Sequence, residues 1–433
     1  MPDSTVETEL DEAVHSEPRQ GKGWSSRDTG WMLNLFGTAI GAGILYLPIN
    51  AGAGGIWPLI VLSLLAGPMV WLAHRNLVRF CLSSTNPASN ITGTVNEHFG
   101  VKAGRVLTLA YFLSIYPILL LYGIGITNVV ISFLENQLFI ESPPRLLLSL
   151  GLVSLLVAIM HVGEIWMLRA VKLLCYPLVV VLVGISIYLI PDWNLAAFDQ
   201  PFNTHDLLLT LFLTTPLLVF SFNHSPACSA FAQAYRMTMP DNESCAQKTS
   251  LILKRNTQLL LVVILFFVFS CVLTLTPEDL AMAKEANLPV LSVLANRSVN
   301  PMFAVVAPVI AFLAIASSFF GVYLGTLEGM HGLVTQQWLK YNGRKPLNPV
   351  ALRRGTVAFG LITCWLAGYA NWSVIGMVEM VVVPVLAAIL YLMPVYALYK
   401  VPSLSHFRNI YLDVFTVIVG IVAITAFIVD QIL

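Results

Sequence analysis

The apolar positions of this chain fall into long runs that are separated by short polar segments. About 20 apolar residues are enough for a helix to cross the hydrocarbon core of a bilayer, so the runs predict eleven transmembrane helices, named spans 1 to 11 here. They cover residues 31–51, 56–74, 104–134, 145–162, 167–190, 207–232, 255–275, 302–335, 352–369, 374–399 and 411–431. Several runs exceed the minimum length, which indicates tilted helices or helices that continue beyond the bilayer.

Composition and charge also indicate a membrane protein. Of the 433 residues, 57% are hydrophobic and 11% are charged, whereas a soluble domain carries about 25% charged residues. The formal net charge is zero, which gives no reason to expect a nucleic-acid partner. The six cysteines are scattered and mostly lie inside apolar runs. We therefore expect small buried side chains rather than a disulfide framework or a metal site.

The polar segments predict the orientation in the membrane. Residues 1–28 are polar and acidic and lack an apolar segment preceded by basic residues. They predict a disordered cytoplasmic tail without a cleavable signal peptide, followed by one transmembrane domain at residues 29–432. With the N-terminus in the cytoplasm, twenty of the 23 lysines and arginines fall on the cytoplasmic side, as the positive-inside rule expects. Eleven spans then place the C-terminus on the outer side.

Span 1 carries the sequence Gly-Thr-Ala-Ile-Gly-Ala-Gly at residues 37–43. Each glycine costs about 1 kcal/mol in a helix interior, and unpaired backbone in hydrocarbon persists only where protein, water or a ligand satisfies it. Residues 37–43 therefore indicate an unwound binding element. The alternative is a continuous helix on which Gly37 and Gly41, four residues apart, form a small-residue packing face.

Span 6 carries a second interruption, Phe-Ser-Phe-Asn-His-Ser-Pro at residues 220–226. Its proline lacks a backbone donor, and its polar side chains interrupt the apolar run. Spans 1 and 6 each begin a block of five helices, residues 31–190 and 207–399, and because five is odd the two blocks have opposite orientations. Interrupted helices at corresponding positions of inverted repeats are typical of secondary transporters. The pattern therefore favours an unwound span 1, in an all-α membrane protein with a 5+5 inverted repeat and a peripheral helix at 411–431.

Two interrupted helices predict a site for a small zwitterion. They expose amide N–H groups at the start of one half-helix and carbonyls at the end of the other. An amino acid carries one charge for each, with its carboxylate at Ala42 and Gly43 and its amino group near the carbonyls of Ala39 and residues 220–223. The predicted substrate-binding residues are Thr38, Ala39, Gly41, Ala42, Gly43, Tyr116, Phe220, Ser221, Asn223 and Ser225, with Tyr122 as another tyrosine of span 3 that is a candidate.

Seven motifs carry a resemblance to a known family. They are residues 37–43 and 220–226, Leu-Pro-Ile-Asn-Ala-Gly at 47–52, Tyr-Pro-Ile-Leu-Leu at 116–120, Phe-Phe-Val-Phe-Ser-Cys at 266–271, Tyr-Leu-Gly at 323–325 and Glu-Gly at 328–329. From about Trp24 to Ala426 the chain resembles the bacterial hydroxy/aromatic amino acid permeases, and most closely their serine transporters, within the amino acid/polyamine/organocation superfamily. The resemblance implies the leucine-transporter-like fold and the ion-driven uptake of serine, with threonine as a second candidate, across the inner membrane. An aromatic or another small neutral amino acid is the alternative substrate.

Span 8 departs from the serine-transporter pattern at residues 317–319, where this chain has Ser-Ser-Phe and the pattern has a lysine next to Ser-Phe. Such a lysine could occupy the place of a coupling cation. In sodium-coupled transporters of the same fold, oxygens of spans 1 and 8 bind sodium, and the matching residues here are Gly37, Ile40, Ala314, Ser317 and Ser318. Five such oxygens suit a hard cation, but helix hydroxyls often bond to a carbonyl one turn earlier instead. Sodium and proton coupling therefore stay open, and no other cofactor is expected.

Three ionisable residues inside the spans are candidates for coupling or gating, because such residues are costly in a membrane. Glu379 of span 10 is an outer gate or proton acceptor, or else bonds to a neighbouring helix. Glu328 lies about 15 Å along span 8 from Ser318, which favours an inner-gate or interfacial role. His224 could titrate near neutral pH, but a neutral histidine that caps a carbonyl is favoured. A short inner loop with a solvated ion pair is expected at His161, Glu164 and Arg169.

Two other classes of function fit less well. A channel needs a repeated pore loop, whereas this chain has one pair of interrupted helices. An intramembrane enzyme needs a nucleophile and base, or metal ligands, at one depth. Only His224 and Glu379 come near that requirement, and no nucleophile accompanies them. The sequence predicts a non-enzymatic transporter whose partners are its amino acid substrate and the lipid bilayer, with no protein partner required.

Overall fold

The computed structural model describes residues 23–41, 43–52, 55–195, 198, 203–239, 241–285, 290–297, 302–341, 347–371 and 382–430, and the regular secondary structure in these ranges is helical. The spans comprise Ser26–Ala39 with Gly43–Gly52 (span 1), Ile56–Leu82, Ile91–Asn136, Arg145–His161, Glu164–Tyr188, Thr204–Ser221 with Ser225–Arg236 (span 6), Asn242–Thr274, Met302–Tyr341, Pro349–Ala370, Val383–Lys400 and Ile410–Asp430. Short helices connect them at Ile190–Asp192, Pro277–Glu285, Val290–Arg297 and Pro402–Phe407.

Helix lengths in the described ranges support ten of the eleven predicted membrane crossings. Within the described ranges, nine helices are long and apolar enough to cross a bilayer alone, and span 1 qualifies as a bent pair. Span 4, Arg145–His161, is shorter at 17 residues. The predicted all-α membrane fold is confirmed.

Span 1 is broken, as its glycines indicate. Half-helix 1a, Ser26–Ala39, and half-helix 1b, Gly43–Gly52, meet at an angle of 57°. At Ile40 the backbone leaves the helical region (φ −79°, ψ 70°), and its N–H makes the last helical hydrogen bond to the Phe36 carbonyl. The packing-face alternative, a continuous helix, is therefore wrong.

Span 6 is broken by the sequence that predicts it. Half-helix 6a, Thr204–Ser221, ends at Phe222, and half-helix 6b, Ser225–Arg236, begins after His224. The Asn223 side chain accepts a hydrogen bond from the Ser225 N–H at 3.0 Å, which satisfies one of the free N–H groups in the first turn of the new helix. Pro226 follows in the first turn of half-helix 6b, where its missing N–H leaves no hydrogen bond unmade.

The first helix starts earlier than expected. Half-helix 1a begins at Ser26 with a capping box between Ser25 and Asp28, inside the range 1–28 that the sequence predicts as disordered. A capping box satisfies two backbone donors at once, which explains why this polar stretch is helical. Residues 1–22 of the predicted tail lie outside the described residues.

Tight packing joins span 1 to span 8. Gly321 of span 8 lies so close to the Thr38 side chain that a Cβ at Gly321 would overlap the threonine.

Two other spans are irregular. Span 10 contains one turn of π-helix, Ala388–Leu392, and span 3 bends at Gly100, where φ is 79°. The six cysteines are buried and free, as the sequence predicts.

Candidate functional site

The breaks of spans 1 and 6 are in contact at Gly43 and Ser221. The Ser221 hydroxyl, at the end of half-helix 6a, donates a hydrogen bond to the Gly43 carbonyl at 3.3 Å. A Cβ built on Gly43 would lie 3.1 Å from the Ser221 Oγ and 3.3 Å from the Phe220 ring. Because Gly43 lacks a side chain, the main chains of half-helices 1b and 6a approach closely. Ala42, the other residue predicted to hold the carboxylate, lies outside the described residues.

Tyr122, rather than Tyr116, is the tyrosine of span 3 that reaches the break. Its hydroxyl lies so close to Gly41 that a Cβ on this glycine would overlap it. The same Cβ would lie 3.3 Å from the Ser318 Oγ. Tyr116 instead stacks on Phe112 and Phe359, with ring centroids 4.8 and 5.5 Å away. The structure therefore does not bring Tyr116 to the other predicted site residues.

The paired hydroxyls of span 8 lie at the carbonyl end of half-helix 1a. The Ser318 Oγ donates to the Gly37 carbonyl at 2.7 Å, and the Ser317 Oγ donates to the Ala314 carbonyl at 3.1 Å. A Cβ on Gly37 would lie 3.0 Å from the Ser317 Cβ. Oxygens of four of the five predicted cation ligands are therefore neighbours. The fifth residue, Ile40, is buried at the helix end.

Ser317 and Ser318 use their hydroxyls differently. Ser317 bonds to a carbonyl one turn earlier on its own helix, which is the ordinary behaviour of a helical serine. Ser318 bonds across to span 1, so its hydroxyl is held at another helix. Both side chains are fully buried.

His224 belongs to a stacked pair of histidines. Its ring lies on that of His74 from span 2, with centroids 3.5 Å apart and planes 7° from parallel. The His74 Nε2 accepts the His224 backbone N–H at 3.1 Å, so the hydrogen of His74 sits on Nδ1, which donates to the Val70 carbonyl at 2.7 Å. The His224 Nδ1 lies 3.0 Å from the Phe222 carbonyl, to which it donates. These contacts are those of neutral capping groups at a helix break.

His74 is a residue that the sequence reasoning missed. It is 1% exposed and is the last residue of the apolar run that predicts span 2. An ionisable residue inside an apolar run was the available signal, because such residues are rare and functional in membrane helices.

The remaining predicted substrate residues line the two breaks without pointing to one cavity. The Thr38 hydroxyl donates to the Asn34 carbonyl at 2.6 Å and packs against span 8. Ala39 is buried at the end of half-helix 1a, and the Asn223 side chain accepts the Ser225 N–H at the start of half-helix 6b. Their contribution is to shape the two helix ends.

Of the two glutamates predicted as gates, the structure describes Glu328 but not Glu379. Glu328 has one carboxyl oxygen that is buried and has no hydrogen-bond partner among the described residues, and Tyr111 and Ser229 are its nearest polar neighbours. It lies ten residues beyond Ser318 on the same helix, and its neighbour Ser229 lies four residues into half-helix 6b. Glu379 lies outside the described residues.

A cluster of charged groups, which we call the Asp28 cluster, joins the ends of spans 1, 5, 6 and 7 at one face of the bundle. The buried Asp28 carboxylate accepts hydrogen bonds from Lys248 at 2.7 Å and from the Tyr235 hydroxyl at 2.6 Å. Beside it, Arg27 pairs with Glu164 at 2.8 Å. The Asp28 cluster therefore fastens half-helix 1a to its neighbours at the end away from the break.

The Asp28 cluster corrects the expectation for the inner loop. Glu164 pairs with Arg27 and accepts the Trp31 indole N–H at 2.9 Å, so its partner comes from span 1 rather than from the loop itself. Arg169 lies over the Trp166 ring at 4.8 Å, and His161 bonds to the Tyr323 hydroxyl at 3.1 Å.

Comparisons with known proteins agree with this architecture. The model of the tryptophan/tyrosine permease family matches residues 29–347. The serine transporter SdaC of Escherichia coli (strain K12) is 47% identical over 409 residues, which are 93% of this chain and 94% of the relative.

Solved structures share the fold at low sequence identity. MhsT in complex with L-phenylalanine has a TM-score of 0.56 and 14% identity, over 95% of this chain and 99% of that chain. A Na⁺-coupled sialic acid symporter in a substrate-bound outward-open state has a TM-score of 0.55 and 13% identity, over 93% and 90% of the chains. The predicted leucine-transporter-like fold is thereby confirmed. Together with the match over residues 29–347, these findings show that this chain belongs to the tryptophan/tyrosine permease family and is a multi-pass membrane transporter.

Proposed function

We propose that this transporter imports L-serine, with threonine as a second substrate, by alternating access driven by a sodium gradient. The observation that carries the proposal is the contact of two interrupted helices at Gly43 and Ser221. The 47% identity to a relative named as a serine transporter supports serine over an aromatic amino acid.

The broken helices bind the charges that every amino acid carries. The N-terminal end of half-helix 1b, which begins at Gly43, offers backbone N–H groups and the positive end of a helix dipole to the carboxylate. The carbonyl ends of half-helices 1a and 6a face the ammonium group. Ser221 and Tyr122 add two hydroxyls at the same breaks, which suit a hydroxylated side chain.

Sodium is the coupling ion that the serine pair of span 8 supports. The Ser318 hydroxyl bonds to the Gly37 carbonyl at 2.7 Å, and the Ala314 carbonyl and the Ser317 hydroxyl are one turn away. If both hydroxyl hydrogens turn outwards, the oxygens can coordinate a hard cation. Because half-helix 1a supplies part of this site, a bound cation would hold that half-helix against span 8.

The orientation follows from the positive-inside rule. The Asp28 cluster then lies at the cytoplasmic side of an inner membrane and closes that side. Opening it would require half-helix 1a to move away from spans 5, 6b and 7, which is the step that releases substrate inwards.

Serine uptake into proteoliposomes tests the function and the ion together. We expect labelled serine to accumulate when sodium is present outside, and choline to abolish the accumulation. Unlabelled serine should compete strongly, threonine less, and tryptophan not at all. Uptake that ignores sodium but follows an imposed pH gradient would contradict the sodium proposal, and competition by tryptophan alone would contradict the substrate.

A serine variant localises the ion. Ser318→Ala should raise the sodium concentration for half-maximal uptake about tenfold, because it removes one ligand from a set of five. The matched control is Ser63→Ala, which removes a hydroxyl bonded within its own helix at 2.7 Å to the Leu59 carbonyl. An unchanged sodium requirement in Ser318→Ala would place the ion elsewhere.

A further inference from the structure

Two arginines at one end of span 2 have donors that nothing in the described chain uses. Arg75 is 9% exposed and Arg79 is half-buried. Each has a buried Nε, and neither donates a hydrogen bond within the described ranges. Their guanidinium groups instead lie over aromatic rings, Arg75 over Trp71 at 4.4 Å and Arg79 over Phe407 at 4.1 Å.

The two positive charges of Arg75 and Arg79 are opposed by the single negative charge of Asp413. Arg75 and Arg79 are close enough to repel each other, and Asp413 is the carboxylate that attracts both. The Asp413 Oδ2 already accepts the Tyr399 hydroxyl and the Asn409 N–H, each at 3.0 Å. Two cations therefore share one nearby carboxylate, and one oxygen of that carboxylate already accepts two hydrogen bonds. Each of the two Nε atoms is buried without a hydrogen-bond partner within the described ranges, which is unfavourable for a charged group, so a further anion beside the pair would be stabilising.

A neighbouring arginine shows that the site is unusual for this region. Arg408 donates to the Leu398 carbonyl at 2.7 Å and to the Tyr399 carbonyl at 3.2 Å. Its guanidinium thereby caps the end of span 10 and is satisfied by the protein itself. Arg75 and Arg79 have no such carbonyls, although they are the more deeply buried residues of the three.

The donor geometry selects a phosphate group. A guanidinium presents paired N–H groups that match two oxygens of a phosphate, and two arginines can bind one phosphate from two sides. The site also lies where span 11 begins, beside apolar side chains that are open to the outside. Tyr411 is 84% exposed there and Ile410 is 58% exposed. A ligand with a phosphate and acyl chains would use both features, and free phosphate would use one.

We propose that Arg75 and Arg79 bind the phosphate of an anionic phospholipid headgroup, whose acyl chains lie along the exposed face of span 11. Basic pockets between transmembrane helices are known to hold such headgroups. The lipid would tie span 2 to the start of span 11, so it would stabilise the fold without taking part in transport.

Thermal unfolding in detergent tests this proposal. The purified protein is heated with phosphatidylglycerol, with phosphatidylcholine of the same acyl chains, or with inorganic phosphate. A ligand that binds only the folded state raises the melting temperature. We expect phosphatidylglycerol to raise it by several degrees and the other two additives to leave it unchanged. Equal shifts with both lipids would overturn the proposal, and a shift with phosphate alone would overturn the lipid as its source.

Variants assign the effect to the arginine pair. Arg75→Gln and Arg79→Gln should each lose the selective shift, and Arg79→Lys should keep part of it. The matched control is Arg169→Gln, which removes an exposed arginine on the same side of the bundle and should keep the full shift. Native mass spectrometry of the wild-type protein gives a second measurement in case the glutamine variants do not fold. Preferential retention of phosphatidylglycerol supports the site, and retention of both lipids alike rejects it.

Discussion

In the orientation proposed above, removing Lys248 should open the cytoplasmic side of this transporter. The Lys248 Nζ lies 2.7 Å from Asp28, with side-chain exposures of 12% and 0%. Removing one partner of a buried ion pair costs about 3–5 kcal/mol, because the other charge stays buried. Since each 1.4 kcal/mol is a factor of ten, Lys248→Met should shift the balance from the closed towards the open arrangement by roughly 10²- to 4 × 10³-fold.

Buried thiols report the opening. Cys228 on half-helix 6b and Cys175 on span 5 are both fully buried, and Cys175 lies directly against Gly37 of half-helix 1a. In inside-out vesicles, a membrane-impermeant maleimide should label them faster in Lys248→Met than in the wild type. The matched control is Lys254→Met, which removes an exposed lysine from the same helix and should leave labelling unchanged.

A double variant separates the buried charge from a general loss of packing. Asp28→Asn with Lys248→Met removes both charges, and uncharged replacements of a buried ion pair are often nearly neutral. Labelling should therefore return close to the wild-type rate. If the double variant is labelled as fast as Lys248→Met alone, the lost contact rather than the unpaired carboxylate causes the opening, and the reasoning above is wrong.

Three further variants test the two breaks. Gly43→Leu should abolish serine binding but not membrane insertion, since its side chain would fill the contact with half-helix 6a; wild-type affinity would remove span 1 from the site. Tyr122→Phe should weaken serine uptake about fivefold, as expected for the loss of one hydrogen bond of about 1 kcal/mol, whereas Tyr116→Phe should not, and equal losses would contradict the assignment of Tyr122. His74→Phe keeps an aromatic ring but leaves the His224 N–H without its acceptor, which costs about 1–3 kcal/mol. Thermal unfolding should then occur at a lower temperature, and an unchanged midpoint would show that the bond is dispensable.

Local chemistry explains why both breaks could be predicted. Glycines at 37, 41 and 43 and a proline at 226 act through their own backbone properties, which are present in the sequence itself. The pairing of Ser318 with Gly37 followed from the family resemblance, because two residues 281 positions apart leave no sign of contact in a single sequence.

The orientation of span 3 about its axis explains why the sequence could not decide between Tyr116 and Tyr122. Tyr116 and Tyr122 are six residues apart on one helix, so they lie on different faces. Which face meets the break depends on how span 3 packs against span 8, and the pattern of a helix that is apolar on every face does not show this. The Asp28 cluster was missed for a related reason, since its residues come from four separate helices.

Half-helix 1a is a rigid helix that connects the proposed ion site to the Asp28 cluster. Gly37 near one end touches both Cys175 and Ser317, and a Cβ there would lie 2.8 and 3.0 Å from them. Asp28 near the other end is nine residues away, or about 14 Å along the axis. If half-helix 1a moves as one rigid body, a tilt at its Asp28 end also shifts the Gly37 carbonyl away from span 8. Binding of one small ion at the Gly37 end would thereby determine whether the pathway at the Asp28 end is open or closed.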